Sequence, residues 1–75
     1  MLNMNNIGGR FMLKLKEVQK ITGLSRSSIY SYIDKGIFPT QVKLGERSVA
    51  WVEEEITGWL KGRILARDAA NSSTY

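Results

Sequence analysis

The stretch TGLSRSSIYSYIDKG, residues 22–36, contains the glycine turn on which the predicted architecture depends. Upstream of this turn, Leu15, Val18 and Ile21 recur at the spacing of one face of a helix. Gly23 follows directly, and glycine is the residue that most readily adopts the left-handed conformation after a helix end. We therefore predict a short first helix that ends at Gly23.

A second helix is predicted to follow almost at once. The hydroxyl of Ser25 can accept a hydrogen bond from a backbone N–H two or three residues on, which makes Ser25 a suitable N-cap. The helix then continues to about Lys35 and ends at Gly36. A helix, a tight turn with a glycine and another helix form the local pattern of a helix-turn-helix.

The second helix has two different faces when its residues are placed at about 100° intervals. Apolar side chains share the face expected to pack on the core: Ile29, Tyr30, Ile33 and, just past the helix end, Ile37. Polar side chains share the opposite face: Ser27, Ser28, Ser31, Asp34 and Lys35. Arg26 lies in the first turn, and Tyr32 lies at the border between the faces.

Beyond the second helix the periodicity changes from helical to β-like. Pro39, the single proline, blocks a helix. Residues 41–52, QVKLGERSVAWV, form two short β-prone runs around a turn that contains a glycine. We predict a β-hairpin with Lys43 and Arg47 near its tip.

The last predicted element is a third helix. The glutamates at 53–55 suit a first helical turn, where the helix dipole is positive. They do not form a metal site or a paired-carboxylate catalyst, because consecutive helical positions point about 100° apart. An apolar stripe follows at helical spacing: Ile56, Trp59, Leu60 and Ile64. The predicted fold is mainly α with a small β-hairpin, in the winged helix-turn-helix order of helix, helix, hairpin wing and helix.

Both ends of the chain differ from this compact pattern. Residues 1–10 are polar and without periodicity, so we predict a flexible N-terminal arm. Residues 67–75 are small and polar, and they predict a flexible C-terminal tail. The winged helix-turn-helix domain is then expected over residues 11–66. The sequence does not choose between Met1 and Met12 as the translation start.

The 75 residues include neither histidine nor cysteine. Thiolate and imidazole metal sites, disulfides and nucleophile–histidine pairs therefore lack the residues that they require. No glycine-rich phosphate loop is present either. We predict no catalytic residues, no metal, no cofactor and no enzymatic activity. The apolar runs are far shorter than the roughly 20 residues of a membrane span, so a soluble cytoplasmic protein that does not contact a membrane is expected.

The formal net charge of +4 is unevenly distributed. Residues 14–47 contain seven Lys or Arg and three Asp or Glu, whereas residues 48–75 contain three and four. The basic excess thus coincides with the helix-turn-helix and the hairpin. This coincidence indicates a polyanionic partner.

The polar face of the second helix and the basic hairpin have the features of a DNA-binding surface. A helix in the major groove meets base edges with its outward side chains, and a basic hairpin beside it can contact phosphates or the minor groove. The candidate contacts are Arg26, Ser27, Ser28, Ser31, Tyr32, Lys35, Lys43 and Arg47. A polar helix face is often only a solvated face, and the combination with the turn and the basic hairpin favours DNA.

The candidates differ in what they can contact. Arg26 suits a guanine or a phosphate, whereas the serines read bases weakly or hold phosphates. Tyr32 could equally pack on the core or contact a phosphate. Trp51 and Trp59 could be stacking platforms for bases, but their places in the apolar pattern favour core anchors.

Several motifs, in this order, resemble those of the AlpA-type family of small prophage regulators, relatives of phage excisionases with a fold similar to the MerR-type winged helix. The motifs are LKEV (15–18), TGLSRSSIY (22–30), GIFP (36–39), VKLG (42–45), Arg47, Trp51 and EEEITGWL (53–60). The likeness covers about residues 11–62. Many relatives have an arginine in place of Ser31 and a proline in place of Gln41, so base readout differs here or affinity per site is lower.

The resemblance implies sequence-specific binding of double-stranded DNA near prophage or integrative-element genes. It assigns Arg26, Ser27, Ser28 and Ser31 to the recognition helix and Arg47 to the wing. Members of the family activate an integrase gene or direct excision at attachment sites, and both tasks use one surface. Adjacent copies of the chain on repeated DNA sites and an integrase stay open as further partners.

A rival hypothesis is a small adaptor that binds and modulates a regulator or recombinase. The apolar stripe of the third helix and the aromatic residues could serve such docking. A chain of this size, however, needs most of its large apolar residues inside its own core. The two hypotheses differ in whether DNA or a protein is retained at low salt.

Overall fold

The computed structural model describes residues 6, 7 and 10–72. Its elements in chain order are β1 (Asn6–Ile7), β2 (Arg10–Leu13), α1 (Leu15–Thr22), α2 (Arg26–Asp34), β3 (Val42–Lys43), β4 (Val49–Val52) and α3 (Glu53–Ser72). The fold is mainly helical, and β3 and β4 form a hairpin beside α2, as in a winged helix. The predicted fold class is thereby confirmed. None of the helices in this part of the chain is long and apolar enough to cross a membrane.

The turn between α1 and α2 has the structure that its residues predict. Gly23 caps α1 in the left-handed conformation, with φ 74°, and its N–H donates to Gln19 O at 2.8 Å. Ser25 caps α2, because its Oγ accepts a hydrogen bond from the Ser28 N–H at 3.1 Å. Gly36, with φ 76°, lies just past the end of α2.

A four-stranded antiparallel sheet with the order β1-β2-β4-β3 supports the helices. Leu13 lies opposite Trp51, and Lys43 lies opposite Val49. Strands β1 and β2 were not predicted, since residues 1–10 were assigned to a flexible arm. The strand residues Asn6–Ile7 and Arg10 belong to that segment, and its other residues lie outside the described part of the chain. The polar residues before β2 give no strand signal, the apolar residues 11–13 are too short a run to distinguish a strand from a helix, and the pairing of β2 with β4 is non-local.

One hydrophobic cluster joins all three helices to the sheet. Its fully buried side chains include Val18 of α1, Ile29 of α2, Trp51 of β4 and Ile56 of α3. The indole N–H of Trp51 donates to Pro39 O at 3.1 Å, so the polar atom of this large side chain is satisfied. Trp51 is a core anchor, as predicted. The cluster holds α2 against the sheet with its serine face outward.

Helix α3 is longer than predicted. Its side chains are buried or half-buried only as far as Leu60, and every side chain from Lys61 to Asn71 is exposed. The predicted apolar stripe is therefore wrong at Ile64, which is 48% exposed because the body of the protein ends one turn earlier. The predicted tail began at residue 67, yet the helix continues to Ser72, where alanines favour helix. Residues 73–75 lie outside the described part of the chain.

Two further apolar side chains do not pack as the helical pattern predicted. Ile21, on the expected inner face of α1, is 45% exposed, and Ile37 is 54% exposed. Ile37 follows the left-handed Gly36, which turns the chain away from the α2 axis. Phe38 instead enters the core and packs edge-to-face on Trp59, with ring centroids 4.8 Å apart.

Candidate nucleic-acid interface

The outward face of α2 presents short polar side chains. Ser27 and Ser31, one helical turn apart, are exposed. Lys35 at the C-cap and Asp34 are exposed as well. Short exposed side chains such as Ser27 and Ser31 allow the backbone of α2 to approach a partner closely.

Ser28 was also predicted to face outward, and the structure places it differently. For Tyr32, the sequence left packing on the core and a phosphate contact equally open. Ser28 is half-buried, and its Oγ accepts a hydrogen bond from Ser25 Oγ at 3.1 Å, so its hydroxyl belongs to the helix cap. The phenol ring of Tyr32 is half-buried and packs on the hydrophobic cluster. The helical period alone does not show that a side chain in the first turn can be held by a cap hydrogen bond, or that one at the border of a helix can pack on the core.

Arg26 connects the first turn of α2 to the sheet through two aromatic rings. Its guanidinium lies over the Tyr30 ring, with Cζ 5.7 Å from the centroid. The Tyr30 ring in turn meets Trp51 edge-to-face, with centroids 6.2 Å apart at 65°. Because Trp51 is fully buried in β4, this stack gives Arg26 a defined position at the front of α2.

The wing consists of β3, β4 and the connecting loop 44–48. The backbone carbonyl of Ser48 closes the loop by accepting from the N–H groups of Leu44 at 2.7 Å and Gly45 at 3.2 Å. Lys43 lies in the strand opposite Val49, and Arg47 lies in the loop. Both cationic side chains are exposed, as the hairpin pattern predicted.

Lys14 is an additional cation at this surface that the sequence pattern did not identify. Its ammonium donates a hydrogen bond to Ser48 Oγ at 3.0 Å, although the two residues are 34 positions apart in the chain. Its backbone N–H donates to Glu17 Oε1 at 2.9 Å at the start of α1. A polar residue just before a helix carries no signal for a contact with a distant loop.

Among the described residues, no carboxylate forms an ion pair with a cation of α1, α2 or the wing. Within the side chains that the structure describes, the only ion pair joins Arg67 and Asp68, 2.8 Å apart on the projecting part of α3. The exposed basic side chains that form no ion pair in this part of the chain are thus available to an external anion: Lys14, Lys16, Lys20, Arg26, Lys35, Lys43 and Arg47. No hydrogen bond joins the α2 side chains to those of the wing across the described residues, and the two are connected through Tyr30 and Trp51.

Comparisons with known proteins agree on one family. The family model of the prophage CP4-57 regulatory protein (AlpA) matches residues 11–64. The protein ORF88 of Enterobacteria phage P4, described as uncharacterized, is 53% identical over 55 residues, which cover 73% of this chain and 62% of that protein. The DNA-binding transcriptional activator AlpA of Escherichia coli K12 is 36% identical over 66 residues, which cover 80% of this chain and 94% of that protein. No solved structure matches the chain.

Proposed function

Because the chain belongs to the AlpA family of prophage regulatory proteins, we propose that it binds double-stranded DNA sequence-specifically and regulates genes of a prophage or integrative element. The relative from Escherichia coli is described as a DNA-binding transcriptional activator, and it aligns over nearly its whole length. The family match covers both the helix-turn-helix and the wing.

One observation carries the proposal beyond family membership. The exposed serine face of α2 and the exposed cations of the wing are linked through the contact of Tyr30 with the buried Trp51, and no carboxylate among the described residues forms an ion pair with these cations. A surface built in this way matches a duplex, which presents base edges in a groove and phosphates along both of its sides. In this arrangement α2 enters the major groove, and the wing follows the backbone or the adjacent minor groove.

The proposed contacts differ in kind. Arg26, positioned on the Tyr30 ring, reads a guanine or holds a phosphate at the front of the helix. Ser27 and Ser31 approach base edges, and Lys35 contacts the backbone at the helix end. Lys43 and Arg47 bind phosphates or the minor groove from the wing. Ser28 and Tyr32 stabilise the cap and the core, so we assign them an indirect role.

Two regulatory tasks fit this surface. The protein can act as a transcription regulator, for example of an integrase gene, or as a recombination directionality factor at attachment sites. Both tasks need groove insertion and phosphate contacts, and they differ only in where the binding sites lie. Selection of genomic fragments with the purified protein, followed by footprinting, separates the two. Sites upstream of an integrase gene support regulation, and sites inside an attachment region support excision.

The experiment also tests DNA binding itself. We expect a protected segment that is the same in independent fragments and that is lost when the site is scrambled. If fragments are recovered at random, and no fragment is shifted at low salt, sequence-specific DNA binding is excluded.

A second candidate function is an adaptor that docks on a regulator or recombinase. An open groove of about 620 Å³ favours it, because this groove lies between residues 36–40 and α3 and is lined partly by Ile37 and Trp59. Retention of a recombinase by the immobilised protein, with no shift of any DNA, would support this function. An Ile37→Asp variant should then lose the protein partner, whereas it should bind DNA normally if the DNA hypothesis holds.

A further inference from the structure

We propose that Lys14 is a phosphate-binding residue of the DNA interface, held at the base of the wing by Ser48. We call Lys14, Ser48 and Arg47 together the junction site. The inference rests on the proposed function and extends it, because it adds Lys14, the N-cap of α1, to the phosphate contacts of the wing. No sequence motif includes Lys14 in the binding surface.

Strand order brings the members of the junction site together. Lys14 directly follows β2, and β2 pairs with the second half of β4. Ser48 and Arg47 directly precede the first half of β4. Because β2 and β4 run antiparallel, the residue that follows β2 lies toward the start of β4. The ammonium of Lys14 therefore reaches Ser48 Oγ, at 3.0 Å.

This hydrogen bond holds the ammonium of Lys14 at Ser48, the residue that follows Arg47 in the chain. Among the described residues it is the only hydrogen bond between side chains that are distant in the chain. A lysine side chain in water samples many rotamers, and an anchored one loses less conformational freedom when it binds an anion. Ser48 itself is held by the loop closure through its carbonyl.

No carboxylate among the described residues forms an ion pair with Lys14 or Arg47 of the junction site. The carboxylate of Glu17 accepts from the backbone N–H of Lys14 and forms no ion pair with its ammonium. Glu46, beside Arg47 in the loop, likewise forms no ion pair within the described part of the chain. An ammonium has three donors, and Ser48 uses one of them, so donors remain for a phosphate oxygen.

The test is the salt dependence of binding to a DNA site recovered by the selection described above. Lys14→Ala should reduce the magnitude of the slope of log K against log[salt] by about 0.9, the value of one phosphate contact. Ser48→Ala should leave the slope unchanged and weaken binding about two- to fivefold, because the charge remains but its orientation is lost. Lys61→Ala, a matched change on the exposed part of α3, should alter neither quantity.

The outcomes separate this inference from the proposed function. If the wild-type protein shifts no DNA, the proposed function fails. If it binds DNA and Arg47→Ala reduces the slope while Lys14→Ala does not, only the assignment of Lys14 fails. Equal weakening by Lys14→Ala and Ser48→Ala at an unchanged slope would make Lys14 a positioning residue of the wing, which also overturns the proposal. Lys14→Gln keeps most of the aliphatic stem and replaces Lys14→Ala if that variant does not fold.

Discussion

At Gly23 the backbone takes a left-handed conformation, with φ 74°, and a Cβ placed there would have open space around it. The cost of another residue at this position is therefore conformational rather than steric. We expect Gly23→Ala to lower the free energy of unfolding by about 1 kcal/mol, since only glycine adopts this conformation freely. Chemical denaturation of the two proteins measures the difference. An unchanged midpoint would show that the turn does not need the left-handed conformation.

Arg26 is the residue of α2 most suited to reading a base. Its guanidinium is positioned by Tyr30, which makes it the best candidate for reading a base. We expect Arg26→Ala to weaken binding to the specific site by about 1–3 kcal/mol more than binding to unrelated DNA. Competition binding with the specific and a scrambled duplex measures this difference. Arg67→Ala, on α3, is the matched control, and equal losses for both duplexes would assign Arg26 to a phosphate.

Helix α3 shows how one element can have two different environments. Its first turns pack on the sheet through Ile56, while its second half projects and exposes Leu65 to 67%. The glutamates at 53–55 correctly predict where the helix begins, and the helical period predicts which side of its first turns faces the core. It does not predict where the core ends, because the same repeat of apolar residues continues past the body of the protein.

Gly62 lies in the part of α3, residues 61–71, in which every side chain is exposed. It is helical, has no positive φ, and a Cβ there would meet no atom within 4 Å. We expect Gly62→Ala to stabilise the helix by about 0.5–1 kcal/mol, because glycine loses more backbone entropy than alanine in a helix. Circular dichroism and thermal unfolding measure the gain. A loss of stability would mean that α3 needs a glycine at this position.

For the whole molecule, the proposed function predicts a strong dependence of DNA binding on salt. A single domain of this size can make about four to six phosphate contacts, each contributing about −0.9 to the slope of log K against log[salt]. Arg47→Ala should lower the magnitude of the slope by about one contact and weaken binding to all sequences similarly. Binding isotherms between low and physiological salt supply the slopes. If the Arg47→Ala slope equals that of the wild type, the wing does not contact the DNA backbone.

The sequence alone was sufficient for the features that local interactions specify. The cap at Ser25, the glycine end of α1 and the start of α3 depend on residues within one helical turn of each other, and the structure confirms all three. The hairpin is local as well, because its two strands are joined by a short loop. The lack of histidine and cysteine is read directly from the sequence, without any structure.

Other features depend on residues that are far apart in the chain, and for these the structure was needed. The pairing of β2 with β4, the inward position of Tyr32, the exposure of Ile37 and the hydrogen bond from Lys14 to Ser48 all belong to this class. Periodicity reports which side of an element is apolar, but not which partner that side meets or where the partner ends. Those properties arise only when separate segments pack on one core, since burial and non-local pairing depend on the whole arrangement.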